Sequence, residues 1–378
     1  MTLFQLMMVA ALLVGGMGLA VLGSVKVPLA KRLHIDEARV GGLVSIFGFV
    51  VGPVILAAGF LTDHVGRQTV FMTGSILFAG SLVLLAAARN YLAALAAVLF
   101  LGAAWAMLIN VGNVLTPPAF AGEPPNIPRA TNLANVFFGL GAFLTPLVVA
   151  FLIARHSLTM ALSLLALFSI LPAGLALGVV FQAPIAPAAE SAGFGSLLRD
   201  SLMWLCGLAM IFYTPLESSL GAWTTTYLGE RGVSERTAPW LLSGFWLAYM
   251  AGRLAAALFM PADWAAAALG ALTAGSFIVL LAMVLSRGAA PAMALVLAAG
   301  LVFGPIFPII MATLLGHFDQ SLHGRAVGLL FALASIGWTT IPFLIGAYAR
   351  RAGVQRGFVI AAAAAGGLTG IALIIALR

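Results

Sequence analysis

The chain has 378 residues, of which 63% are hydrophobic and only 8% are charged, and its mean hydropathy is +1.14. Soluble domains carry about 25% charged residues, so this composition excludes a water-facing surface and places the chain in lipid. The net charge of +7 does not point to nucleic acid, because the 18 basic residues are scattered singly between apolar blocks and form no phosphate-binding stripe.

A hydrocarbon core about 30 Å thick is crossed by roughly 20 apolar residues of helix. The first such run, Phe4–Val25, has no basic leader and reads as a retained helix, not a cleaved signal peptide. Gly15, Gly16, Gly18 and Gly23 crowd it, and Lys26 closes it as a snorkelling anchor. The second run, Val40–Thr62, carries Pro53 and leads into Gly59-Phe60-Leu61-Thr62-Asp63-His64-Val65-Gly66-Arg67. In that loop Gly59 permits close helix contact and Gly66 a tight turn. Asp63 sits where a carboxylate can cap N–H groups and favour a neighbouring helix N-terminus, and Arg67 offers a fork of donors.

Thr69–Ala88 and Tyr91–Pro117 follow, the latter with Asn110 and Asn113 three residues apart. The fifth run, Thr131–Ala154, repeats that spacing with Asn132 and Asn135 and adds Gly139 and Gly141; the sixth is Leu158–Phe181. The stretch Gln182–Ser196, with Pro184 and Pro187, then breaks the pattern. The expected organisation is a six-helix bundle over residues 1–181, a cytoplasmic linker over 182–196, and a second six-helix bundle over 197–378.

The second half opens with Leu202–Leu228, which holds Cys206, Pro215 and the ionisable Glu217. Tyr213, Glu217, Gly221 and Thr224 share one face of this helix. In Trp240–Met260, a second face gathers Trp246, Tyr249 and Arg253. At 1.5 Å per residue, Glu217 lies ~22 Å and Arg253 ~15 Å from the cytoplasmic ends of their helices, a difference that a long Arg side chain spans. A charge at mid-bilayer costs at least ~2.5–3.5 kcal/mol on insertion scales and marks function. Glu217 and Arg253 are therefore expected to face one central polar path and to interact there, directly or through water or solute, with Glu217 and Arg253 as the proton-coupling pair. The runs Trp264–Leu285, Ala290–Leu315 (with Gly300, Gly304, Pro305 and Pro308), Ala326–Tyr348 (with Ser335, Trp338, Thr339 and Pro342) and Phe358–Leu377 (with Gly366 and Gly370) complete twelve.

Continuous apolar runs make these segments helices and not barrel strands, so the fold class is an all-α membrane protein of twelve transmembrane helices in two six-helix bundles. Gly52 and Gly252, and Asp63 and Asp263, match at an offset of 200 residues, as in transporters built from two parallel halves. The expected solute-binding residues are Tyr213, Glu217, Trp246, Tyr249, Arg253, Asn110, Asn113, Asn135 and Trp338, because aromatic faces with amide and hydroxyl edges suit a sugar-like ligand.

The loop Gly59 to Arg67 resembles the signature of the Major Facilitator Superfamily, Gly-x-Leu-x-Asp-x-x-Gly-Arg, at all five fixed positions. The resemblance implies that Gly59, Asp63, Gly66 and Arg67 form a cytoplasmic latch. It also puts this loop and both termini in the cytoplasm, in a multi-pass protein of the cell inner membrane. Asn132 to Gly141, Tyr213-x3-Glu217-x3-Gly221-x-Trp223, Phe245-Trp246 with Gly252-Arg253, and Gly304-Pro305-Ile306-Phe307-Pro308 are similar to the fucose-permease-like group of sugar–proton symporters. Where that group carries acids in its first and fourth helices, this chain has Ser24 and Trp105, so the group's proton route does not transfer.

These readings give a secondary active transporter of a small polar solute, a sugar or sugar derivative, coupled to protons. The rival is a proton-driven efflux antiporter for drugs, anionic metabolites or amphiphiles. No nucleophile elbow, nucleotide loop or spacing of metal ligands occurs, so no enzyme activity, metal or cofactor is expected beyond the proton as coupling ion. The partners expected are the solute and the lipid bilayer, with no nucleic acid, around a monomer. One feature conflicts with the implied topology. Only five basic residues (Arg67, Arg129, Arg199, Arg325 and Arg378) would face the cytoplasm against twelve outside, the reverse of the positive-inside trend.

Overall fold

The structure is a computed structural model that describes residues 1–181, 194–234 and 236–378. Among these residues it is helical, with α1 (Leu3–Leu33), α2 (Glu37–His64), α3 (Arg67–Ala87), α4 (Tyr91–Phe120), α5 (Ile127–Arg155), α6 (Leu158–Ser169) and α7 (Leu171–Ala176) in the first half. The second half holds α8 (Phe194–Arg199), α9 (Ser201–Glu230), α10 (Ala238–Phe259), α11 (Ala265–Leu285), α12 (Ala289–Phe303), α13 (Ile306–His317), α14 (His323–Ala352) and α15 (Val354–Ala376). Eleven of the helical segments among the described residues are long and apolar enough to cross a membrane. The 30-residue α9 is also long enough to cross, and it carries the polar run Tyr213, Thr214, Glu217, Ser218 and Ser219.

Helix starts follow local chemistry. Thr2 and Gln5 form a reciprocal capping box on α1, while Asp36, Asn90, Ser157 and Asp200 cap α2, α4, α6 and α9 with their side chains. Between α2 and α3 the chain reverses at Gly66, whose φ of 93° only glycine adopts at no cost. The expected sixth span, Leu158–Phe181, ends earlier: it breaks at Ile170, just before Pro172, and its last helical residue is Ala176. Of the expected linker 182–196, residues 182–193 lie outside the described residues, and residues 194–196 open α8. Pro53, Pro215 and Pro342 sit inside continuous helices, whereas at Gly304–Pro305 the helix divides into α12 and α13.

The chain packs as two compact units. The first comprises the described residues of Met1–Gly122, Ala134–Ser191 and Phe318–Leu329; the second comprises those of Glu123–Leu133, Ala192–His317 and Leu330–Arg378. The start of α5 thus belongs to the second unit and the start of α14 to the first. Each unit repeats one packing scheme. The second spanning helix lies against the fourth (α2 on α4, α10 on α12) and the third against the sixth (α3 on α6, α11 on α15). Small residues allow the closest approaches. A Cβ on Gly16 would strike the Phe138 carbonyl, and one on Gly141 the Leu13 carbonyl, whereas Gly23 and Gly370 face open space.

Candidate functional site

Two polar clusters stand out, one in each unit. In the first unit, α2 ends beside the first turn of α14. Asp63 Oδ1 accepts the Gly324 N–H at 3.2 Å, and Oδ2 accepts the Arg325 N–H at 3.2 Å and Arg325 Nε at 2.8 Å. The carboxylate therefore satisfies orphan donors at a helix N-terminus and an arginine together. Gly59 lets the helices touch here, since a Cβ would meet the Gly324 carbonyl. Arg67 donates to the Gln320 carbonyl at 2.9 Å, and Arg325 Nη2 turns back to the Ser321 carbonyl at 3.1 Å.

Asn110 belongs to this cluster. It is fully buried, its Nδ2 donates to the Gly324 carbonyl at 2.9 Å, and its Oδ1 accepts Thr62 Oγ1 at 3.1 Å. Both ends of the amide are thus committed to the seam of α2, α4 and α14. Asn113 donates to the Ile109 carbonyl of its own helix at 2.8 Å, and Asn135 is buried in the first unit. Trp105 is buried too, with Nε1 on the Gly15 carbonyl of α1 at 2.7 Å, and Ser24 bonds to the Ala20 carbonyl of its own helix at 2.7 Å.

In the second unit, α9 and α10 bring Tyr213, Glu217, Tyr249 and Arg253 together. Tyr249 donates its hydroxyl to Glu217 Oε2 at 2.9 Å and receives Arg253 Nη2 at 2.7 Å. The Tyr213 hydroxyl lies 2.5 Å from that of Tyr249 and 3.2 Å from the Phe303 carbonyl. Arg253 Nε donates to the Gly304 carbonyl at 3.0 Å, and its guanidinium carbon lies 4.2 Å from the Tyr249 ring centre, within cation–π range. Tyr213, Tyr249 and Arg253 are buried, while Glu217 and Trp246 keep some exposure. The Trp246 ring meets Tyr249 edge-on with centroids 5.6 Å apart. Trp338 stands apart on α14: its ring is exposed, and its carbonyl accepts Ser218 Oγ of α9 at 3.3 Å.

Chemically, one hydroxyl mediates between a carboxylate and a guanidinium. With the Tyr249 proton directed at Glu217, its oxygen is left as acceptor for Arg253 and for Tyr213. A proton added to Glu217 would remove the charge that this chain of bonds serves.

A third pair lies at the start of α9. Asp200 Oδ2 meets His317 Nε2 at 3.0 Å while Oδ1 accepts the Leu202 and Met203 amides. Burial raises the Asp200 carboxyl, but the His317 bond and the two amides outweigh it and hold the group below the usual carboxylate range. No cluster of three or more His, Cys, Asp and Glu able to hold a metal occurs among the described residues. Sequence reasoning missed Arg325, Gln320 and Thr62 around Asp63 and Arg67, the Gly304 carbonyl at Arg253, and the Phe303 carbonyl at Tyr213. The readable signal was Pro308, four residues after Gly304, which leaves that carbonyl without a helical donor.

The Major Facilitator Superfamily model matches residues 8–342. Bypass of stop codon protein 6 of Saccharomyces cerevisiae is 30% identical over 176 residues, 44% of this chain and 35% of that protein, so the chain spans about a third of the length of that relative. Among solved structures, the Escherichia coli fucose:proton symporter FucP superposes with a TM-score of 0.81 at 17% identity, covering 99% of this chain and 97% of the other. A FucP structure in the outward conformation gives 0.81 at 16% identity, with 99% of each chain covered. The human organic anion transporter MFSD10 (TETRAN) gives 0.73 at 18% identity, covering 100% of this chain and 97% of that one. At these identities the structural likeness speaks to the fold.

Proposed function

Because this chain belongs to the Major Facilitator Superfamily, a family of membrane transporters, we propose that it is a secondary active transporter that moves a small polar solute, of sugar or sugar-derivative type, together with protons. The observation that carries this reading is the bonded chain Tyr213–Tyr249–Glu217 with Arg253, placed in the middle of two spanning helices. A largely buried carboxylate among tyrosines, beside Trp246 and a buried arginine, can take up a proton and change its partners in response. The fold shared with the FucP fucose:proton symporter is consistent with it.

In this reading Glu217 is the proton site and Tyr249 relays its charge state to Arg253. Trp246, with Tyr213 and Tyr249, supplies the aromatic and hydroxyl surface for the solute. Asp63, Arg325, Arg67 and Asn110 form the latch of one end state, in an inner-membrane protein whose termini and Asp63 loop are cytoplasmic. Arg253 Nε goes to the Gly304 carbonyl and Nη2 to the Tyr249 hydroxyl, so this arginine ties the aromatic and hydroxyl surface to the neighbouring helix.

The test begins with a thermal-shift screen of purified protein against sugars, organic anions and amphiphiles. Each hit is then assayed in proteoliposomes with an imposed pH gradient. The expected result is accumulation of a sugar-type hit down the proton gradient, with Glu217→Gln retaining solute exchange but losing accumulation. Accumulation that ignores the gradient, or a Glu217→Gln variant that still concentrates solute, would overturn the coupling. Outward movement of amphiphiles or anions against a proton influx would select the antiporter reading.

A further inference from the structure

Helix α12 stops at Phe303 and α13 begins at Ile306, with prolines at 305 and 308. Proline has no N–H, so Pro308 leaves the carbonyl four residues before it, that of Gly304, without its helical donor. Arg253 Nε occupies that donor's place at 3.0 Å. The Phe303 carbonyl, one residue earlier, lies within hydrogen-bonding reach (3.2 Å) of the Tyr213 hydroxyl. Helix α10 is pressed against the break with no slack, since a Cβ on Gly304 would meet the Tyr249 carbonyl and one on Gly252 the Leu301 carbonyl. On the far side of the break, the Pro308 carbonyl is held by Thr131 Oγ1 of α5 at 2.9 Å.

We propose that Arg253 is a positioning residue that replaces the missing Pro308 N–H, so that the geometry of the α12–α13 break answers to the charge on Glu217. The inference rests on the reading of Glu217 as the proton site and names the element that this site moves. The guanidinium links Glu217 to the break: Nη2 donates to the Tyr249 hydroxyl that itself donates to Glu217, and Nε holds the broken helix. When Glu217 is charged, the pull of the carboxylate sets the arginine's position. When Glu217 is neutral, that pull is gone and the arginine settles toward the carbonyls of the break, which shifts α13. The groups facing Glu217 are Tyr213 on its own helix and Tyr249 and Arg253 on α10. Helix α12 carries no titratable side chain, and α13 carries only His317, at its far end on Asp200. Those of α8, α14 and α15 (Arg199; His323, Arg325, Tyr348, Arg350 and Arg351; Arg356) lie at or near the helix ends.

The test needs no solute. Spin labels are placed at Leu297→Cys on α12 and Gly316→Cys on α13, both exposed, in a Cys206→Ala background reconstituted in nanodiscs. The labels stand roughly 28 Å apart along a straight helix at 1.5 Å per residue. Pulsed electron–electron distance measurement at pH 8 is expected to show Glu217→Gln shifting the mean separation by about 2 Å or more, the scale of helix shifts in switching proteins. The parent protein at pH 5 should move toward the Glu217→Gln distribution. Pro308→Ala restores the N–H to Gly304 and should give a distribution that no longer responds to Glu217→Gln. Arg253→Lys keeps the charge but loses the Nε donor, and should decouple in the same way if Pro308→Ala does not fold. An unchanged distribution in Glu217→Gln overturns the proposal, as does a full shift that survives in the Pro308→Ala/Glu217→Gln double variant. A parent that ignores pH while Glu217→Gln still shifts the break would sink the proton-site reading and uphold the link between Glu217 and the break.

Discussion

Asp63 draws on two consecutive residues of α14, taking both backbone amides and one guanidinium, and it does so with little exposure to water. Charge-assisted hydrogen bonds of this kind contribute about 1.5–3 kcal/mol each. Asp63→Asn is therefore expected to lower the thermal midpoint of the purified protein and to weaken the latched state by roughly tenfold or more, read as faster labelling of an engineered cysteine beside Gly324. Arg325→Ala should do the same, and the double variant should lose less than the sum of the two. Additive losses would show that the pair does not interact. Asp200 offers a pH test. Its folded-state pKa is depressed, so its stabilising contribution is present above the ordinary carboxylate range and is lost as pH falls through the folded value. A melting series from pH 6 to 3 should fall more steeply in the parent than in Asp200→Asn. The difference should be small and salt-sensitive, because His317 and Asp200 keep 43% and 29% side-chain exposure.

At the scale of the helix, composition accounts for which glycines matter only once neighbours are known. Gly16 and Gly23 stand in the same helix and look alike in sequence, yet Gly16 lies against the Phe138 carbonyl and Gly23 faces nothing within 4 Å. Gly16→Ala should destabilise by about 1–3 kcal/mol through overpacking, whereas Gly23→Ala should be neutral or slightly stabilising, about 0.5–1 kcal/mol, as alanine is the better helix former. Thermal midpoints of the two variants decide this, and equal effects would refute the packing assignment. The prolines teach the same lesson. Pro53, Pro215 and Pro342 leave their helices continuous, while Gly304, Pro305 and Pro308 together divide one. The carbonyl freed by Pro342, that of Trp338, is received by Ser218 Oγ, and the one freed by Pro308, that of Gly304, by the buried Arg253. Helix ends also bear on the basic residues that oppose the positive-inside trend. Lys31 and Arg32 fall in the last turn of α1, Arg155 in that of α5, and Arg350 and Arg351 in that of α14, where cations complement the helix C-terminus.

For the whole molecule, two units with the same internal packing scheme each hold one polar cluster: that of Asp63 lies in the first and the Glu217–Arg253 chain in the second. The topology proposed for them is testable with an impermeant maleimide in the Cys206→Ala background. Val65→Cys should react only after cells are opened and Arg236→Cys in intact cells; the reverse pattern would invert the proposed orientation. The sequence by itself determined the all-helical membrane fold, the Asp63 loop and the presence of Glu217 and Arg253 within long helices. All of these follow from local composition, from spacing along one helix, or from a contiguous motif. It left open which residues share a cluster. Asn110 and Trp246 are equally plausible solute contacts along the chain, yet Asn110 is spent on the Gly324 carbonyl and Trp246 stands beside Tyr249. Only the tertiary structure decided this, because a polar side chain in lipid takes whichever unsatisfied donor or acceptor the neighbouring helix presents. Those partners lie 214 residues away for Asn110 and 51 for Arg253, beyond the reach of any periodicity.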